Sequence, residues 1–321
     1  MDILRPEYHP AQDAAYGGSS LRPLQNSPTY DQREHYALTV QPFRAGGYEA
    51  TLRLVDLQAA ADRAEMPRQY GPRVEGDERS QDSVDSSRQR AKATVRKRVK
   101  DMGGNRLCTL TARQSDALGY LSPEEWGMAF ARYVRILRRA GLMSDYVAIL
   151  EPHKKGLERL RARTDGARPA APASWDIPLH IHFVTRSDFK MPINLMRKCW
   201  NLALGGRDGN IDVQWLRVRD GSDSIDRVAA YATKYITKGL AEFERFNKKR
   251  YWCAGLPLLA KGRTWLKGKE LHEVWQQVLE RLGLSDEMVM ELIRFGGLFS
   301  FPDGRGMWFN VRHSGAAPPP F

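Results

Sequence analysis

The sequence predicts an α+β protein built on a split βαβ antiparallel sheet. Three observations predict it. From Arg106 onward, short β-prone runs alternate with amphipathic helical runs. Two of the β-prone runs, 145–154 and 178–186, follow one another with no helix between them, which puts an antiparallel hairpin inside the alternation. A further helix-spaced run, 226–240, then follows the sixth element.

The elements follow in chain order. Residues 1–87 are dominated by Pro, Gly, Ser, Gln and charge, and read as a poorly structured N-terminal region. Within it, 36–56 carries two runs suited to pair as strands. Residues 88–103 read as a basic arm. Arg88, Arg90, Lys92, Arg96, Lys97, Arg98 and Lys100 crowd this stretch with almost no acid, a pattern suited to phosphate binding. After Gly103-Gly104 comes a strand, 106–113. The next helix starts at Ser122, with Pro123 at its first position and Glu125 completing a capping box. Trp126, Phe130, Tyr133, Val134 and Leu137 fall on one face, and Gly141 ends it. A strand over 145–154 and another over 178–186 flank a Pro/Ala/Arg-rich stretch, about 157–176, that reads as a long hairpin insertion. A helix over 191–204, a strand over 210–219 and the helix over 226–240 complete the order β-α-β-β-α-β-α. The first six elements match a ferredoxin-like domain with helices on one face. This domain is assigned 104–250. Residues 251–321 are expected to form a C-terminal helical region, with helices near 268–283 and 286–295 and no role evident.

Composition narrows the function. Among 321 residues, 50 Lys and Arg face 38 Asp and Glu, a net charge of +12. That balance favours a nucleic-acid partner. No run approaches the roughly 20 apolar residues of a spanning helix, so no membrane partner is expected. The first residues carry no apolar signal-like stretch, so the expected location is cytoplasmic. Cys108, Cys199 and Cys253 are scattered and form no C-x-x-C pair, so neither a disulfide framework nor a cysteine metal site is indicated. There is no G-x-x-x-x-G-K-[ST] loop and no G-x-S-x-G elbow.

Three sets of residues carry chemistry. His180 and His182 flank Ile181, so both fall on one face of their strand while Leu179, Ile181 and Phe183 take the other. On the preceding strand Val147, Ile149 and Glu151 share a face. A hairpin between the two strands brings Glu151 opposite the histidine pair. Two imidazoles and one carboxylate suit a divalent metal with open positions. His153 is a further candidate close by. On the helix 226–240, Ile225, Ala229, Ala232, Ile236 and Leu240 form the apolar stripe. Tyr231 and Tyr235 lie four apart on the more polar side, with Lys234 and Lys238 beside them. A phenol attacks poorly near neutral pH, and a neighbouring ammonium favours its phenolate.

CTLTAR at 108–113, Glu151 ahead of His180-Ile181-His182, and Tyr231-Ala-Thr-Lys234-Tyr235 resemble the three ordered motifs of the HUH endonucleases. More narrowly, they resemble rolling-circle replication initiators of single-stranded DNA phages and small plasmids, in the two-tyrosine form. The resemblance covers about 104–250. It implies that His180 and His182 are metal ligands for Mg²⁺ or Mn²⁺. Glu151 matches an acidic ligand that some of these families place on the preceding strand, although they keep it closer than the intervening 152–179 does here. Tyr231 and Tyr235 match the nucleophiles, and Lys234 the residue that orients or stabilises charge. Thr109 and Thr111 belong to the first motif and are expected to shape the sheet and its DNA contact. The basic stretch and Lys238 are expected to contact DNA. The implied partners are single-stranded or supercoiled origin DNA, a host polymerase and, with no Walker loop in the chain, a host helicase. The implied location is the cytoplasm of a bacterial host. Alternatives of related chemistry are a conjugative relaxase or an HUH transposase, and one from another class is a non-catalytic nucleic-acid-binding protein.

Overall fold

In a computed structural model the described residues are 35–55, 81–115, 117–143, 145–153, 178–187, 190–215, 224–237, 251–268, 270–294, 297–302 and 304–311. They form an α+β fold with two five-stranded antiparallel sheets and six helices. The strands are β1 (His35–Pro42), β2 (Tyr48–Val55), β3 (Arg106–Ala112), β4 (Tyr146–Pro152), β5 (Leu179–Thr185), β6 (Gly209–Trp215), β7 (Tyr251–Ala254), β8 (Gly262–Lys267), β9 (Leu298–Ser300) and β10 (Gly306–Val311). The helices are α1 (Gln81–Met102), α2 (Pro123–Arg139), α3 (Ile193–Ala203), α4 (Ser224–Thr237), α5 (Leu271–Leu282) and α6 (Asp286–Arg294).

The first sheet runs β6-β3-β5-β4-β7. Its first four strands have the split βαβ order that the alternation of elements predicted. Strand alternation gives it two faces. Cys108, Leu110, Ala148, Leu150, Ile181 and Phe183 point to one face, where α2 and α3 cover them. The capping box of α2 forms as expected. Ser122 N–H donates to Glu125 Oε2 at 2.7 Å, and Glu125 N–H to Ser122 Oγ at 3.2 Å. Trp126 of α2 stacks on Trp200 of α3 with ring centroids 5.7 Å apart, and both are fully buried.

The opposite face carries Leu107, Val147, Ile149 and Val184. Here the structure departs from helices on one face only. α1 covers this side with Val95, Val99 and Met102, and α4 adds Val228, Ala229 and Ala232. The stretch 88–103 is therefore the greater part of a packed helix and not an arm. Ala91, Val95, Val99 and Met102 recur at helical spacing, and burying that stripe outweighs the solvation of the basic side chains around it. Gly103 ends the helix at φ +64°. A Cβ on Gly104 would lie 2.5 Å from Val184 Cγ1, so only glycine lets the chain turn this close to the sheet.

The second sheet runs β8-β1-β2-β10-β9. The hairpin expected over 36–56 forms, with Thr39 opposite Thr51. It pairs with strands from the far end of the chain. β1 takes β8 as a neighbour and β2 takes β10. The two C-terminal helices form near their expected positions and pack on this sheet through Val274, Val278, Leu282 and Leu292. Strands β7 to β10 were not anticipated, and 251–311 is thus not purely helical. β7 joins the edge of the first sheet, where Trp252 packs against Phe130 at 5.8 Å between centroids.

The two sheets are tied by a polar cluster. The Lys100 ammonium is buried and lies 2.9 Å from Glu49 Oε1 on β2 and 2.8 Å from Asp226 Oδ1 on α4. It also donates to Asn310 Oδ1 on β10 at 2.9 Å, and Asn310 Nδ2 donates to Asp226 Oδ2 at 2.7 Å. Arg96 grips Glu49 with two hydrogen bonds, at 2.7 and 2.9 Å. No helix among the described residues is long and apolar enough to cross a membrane.

Candidate metal centre

β4 and β5 pair in the register that sets Glu151 opposite His180 and Ile149 opposite His182. Beyond that point the backbone hydrogen bond from His153 to the Pro178 carbonyl closes the base of the hairpin. The long stretch between Glu151 and His180 thus leaves and returns at neighbouring points, and its length does not separate the two side chains. The insertion 157–176 itself lies outside the described residues.

The three side chains converge. His180 Nε2 lies 2.8 Å from Glu151 Oε1, His182 Nε2 lies 3.0 Å from the same oxygen, and the two Nε2 atoms are 2.9 Å apart. Ligands at adjacent corners of an octahedron with bonds of about 2.1 Å stand about 3.0 Å apart. The triangle matches one face of that figure. It leaves three corners for water or substrate oxygens. One further atom supports a cation here. Glu151 Oε2 is buried and has no hydrogen-bond partner among the described residues. A carboxylate with its second oxygen unpaired in a buried site gains from a positive charge beside it.

Electrostatics agree. Burial raises the Glu151 carboxyl, but the hydrogen bonds from His180 and His182 outweigh it and hold the group below its ordinary range. The carboxylate is therefore ionised and ready to bind a cation. Thr109 of β3 sits opposite His182 in the β3–β5 register, and its Oγ1 is 3.0 Å from His182 Nδ1. With a cation bound in place of the Nε2 proton, Nδ1–H would donate to the threonine oxygen and Nε2 would present its lone pair to the cluster. Sequence reasoning placed Thr109 in the first motif without this contact, because the contact depends on register and not on local pattern. His153 is exposed, with its ring 5.9 Å from that of His180, and stands outside the three-residue cluster.

α4 packs beside the centre. Ala229 and Ala232 are buried in one cluster with Ile149 and Val184, which lie on the sheet face of Glu151, His180 and His182. Val228, absent from the expected stripe, is fully buried with them. Tyr231 is 40% exposed and Lys234 is exposed, on the flank of the helix left open to solvent. Tyr235 follows one turn later in α4, and its side chain lies outside the described residues. Lys238 lies outside them altogether.

The seven basic residues of α1 divide. Lys100 is enclosed by Glu49, Asp226 and Asn310, so it is not placed to meet DNA. Arg96 is engaged with Glu49, Arg98 donates to the Leu256 carbonyl, and Arg88 pairs with Asp85 at 2.9 Å. Burial, and then the nearby Lys261, hold the Lys97 ammonium below its ordinary range. Arg90 is exposed and Lys92 half-buried.

Comparison with known proteins finds no matching family model, no matching curated protein and no matching solved structure.

Proposed function

We propose that the chain nicks one DNA strand at an origin of replication, stays joined to the 5′ end through tyrosine, and reseals the strand after rolling-circle synthesis. One observation carries this reading. A Glu-His-His triangle of octahedral spacing lies on a sheet face, and the helix packed on that face bears Tyr231-x-x-Lys234-Tyr235. The arrangement supports an HUH-type endonuclease over a sheet that only binds nucleic acid, since the face holds ligands where stacking rings would stand.

Glu151, His180 and His182 would hold Mg²⁺ or Mn²⁺, which when bound supplies Lewis-acid stabilisation of charge on the scissile phosphate. The chain's own groups do the rest. A tyrosine oxygen attacks phosphorus, the bond from phosphorus to the 3′ oxygen breaks, and that oxygen leaves as a free 3′-OH with a proton. One P–O bond replaces another, so no nucleotide is consumed and the phosphotyrosine keeps the strand ready for rejoining. Lys234, three residues from Tyr231 on the same helix, would stabilise the negative charge of the reacting phosphate. Thr109 keeps His182 oriented. The free 3′ end would serve a host polymerase, with unwinding by a host helicase, in the cytoplasm of a bacterial host.

The test uses a pool of single-stranded oligonucleotides of randomised sequence, labelled at the 3′ end. Incubated with Mn²⁺, the chain is expected to acquire label that survives a denaturing gel. The label should disappear with EDTA and with His180→Ala or His182→Ala. Adduct formation undiminished by EDTA and by the double histidine variant would overturn the proposal.

A further inference from the structure

Strand alternation also gives the second sheet two faces. Leu38, Val40, Leu52, Leu266 and Phe309 point into the cluster with α5 and α6. The opposite face starts under α1, where Glu49 and Asn310 meet Lys100, and then emerges from beneath the helix. One cross-strand row on it reads Arg263, Thr39, Thr51, Trp308, Phe299 through all five strands. That row spans about 19 Å, four intervals of about 4.8 Å. The next row reads Trp265, Ala37, Arg53, Gly306.

The chemistry of these rows is specific. Large rings stand at both ends, and Ala37, Thr39 and Thr51 keep the middle low. Phe299 is 54% exposed and Trp265 41% exposed, unusual for side chains that bury so much apolar area when they have a partner. Trp265, Trp308 and Phe301, the neighbour of Phe299, each have a cation over the ring. The Arg263 guanidinium lies 4.7 Å from the Trp265 centroid, that of Arg96 5.4 Å from Trp308, and that of Arg53 5.6 Å from Phe301. In the five strands Glu49 is the only acidic residue, and it is buried against Lys100 and Arg96.

We infer that this face is a single-stranded DNA platform, separate from the metal centre, its preference for DNA over RNA resting on the proposed nicking function. The exposed ring surface of Phe299 and Trp265 takes unstacked bases, and the guanidinium groups of Arg53 and Arg263 take the phosphates between those bases. The absence of exposed carboxylate in these strands fits a polyanion and leaves an acidic or neutral protein surface less to complement. A duplex is excluded as the preferred ligand, because its bases are already stacked on one another.

The experiment uses the full chain carrying His180→Ala and His182→Ala, in EDTA, so that covalent chemistry plays no part. Binding of fluorescein-labelled oligothymidylate is followed by anisotropy, and 5-iododeoxyuridine oligonucleotides are photo-crosslinked and the attached peptides mapped. Trp265→Ala and Phe299→Ala are each expected to weaken binding about 5- to 160-fold, since a stacked base is worth about 1–3 kcal/mol. Arg53→Gln with Arg263→Gln should lower the slope of log affinity against log salt by about 1.4. Crosslinks should fall in β8, β9 or β10. Equal affinity for duplex, tighter binding of oligouridylate RNA, or unchanged affinity of the aromatic variants with crosslinks confined to the first sheet would each overturn the assignment. Should the alanine variants lose their fold by circular dichroism, the arginine pair and the crosslink map decide.

Discussion

Thr109 and His182 share one hydrogen bond, at 3.0 Å. The hydroxyl fixes which imidazole nitrogen faces the cluster. Thr109→Val keeps the shape of the side chain and removes that bond. Mn²⁺ affinity, measured by titration calorimetry, should fall about 10- to 100-fold, with the fold intact. An unchanged affinity would mean that the sheet alone orients His182. The three residues of the cluster were legible in the sequence because alternation along a strand fixes which residues share a face. That Glu151 meets His180 despite the insertion followed from assuming a hairpin, and the observed register bears the assumption out. The Thr109 contact was not legible, because it rests on how β3 aligns with β5.

At the scale of elements, α1 shows where local reading stopped. Its run of Lys and Arg drew attention to charge, while the stripe of Ala91, Val95, Val99 and Met102 lay in the same residues. Charge density describes what a segment repels, whereas spacing describes what it buries, and here the second decided the structure. Val99 is fully buried. Val99→Ala removes the equivalent of two methylenes and should cost about 2 kcal/mol in urea unfolding. A solvated arm would show no loss. α2, by contrast, was legible from end to end. Its cap, its apolar face and its glycine stop are all local signals. In α4 the missed member was Val228, which a stripe drawn through Ile225 and Ala229 passes over.

The whole molecule holds together through contacts that no local pattern announces. β8 and β10 lie more than 200 residues from the β1–β2 hairpin they flank, so their pairing leaves no trace in spacing. One link between the two sheets is the buried set around Lys100. Burial raises the Glu49 carboxyl, but Arg96 and Lys100 outweigh it and hold it below its ordinary range. A carboxyl lowered in the folded state stabilises the fold above its unfolded value, about 4.3, and loses that contribution as pH falls through the folded value. Glu49→Gln leaves Lys100 its partner Asp226 and leaves Arg96 partly in water, so it should cost about 1–3 kcal/mol at pH 7, with a smaller difference from the parent protein in acid. Equal denaturation midpoints at pH 7 would show the cluster to be dispensable. Since Asp226 opens α4, the same cluster anchors the helix that bears Tyr231. The claim that this helix supplies the nucleophile is tested most directly by mass mapping of the DNA-linked peptide from the wild-type chain. The account predicts the nucleotide on Tyr231 or Tyr235, and no adduct from the Tyr231→Phe/Tyr235→Phe variant. An adduct on any residue outside 231–235 would contradict it.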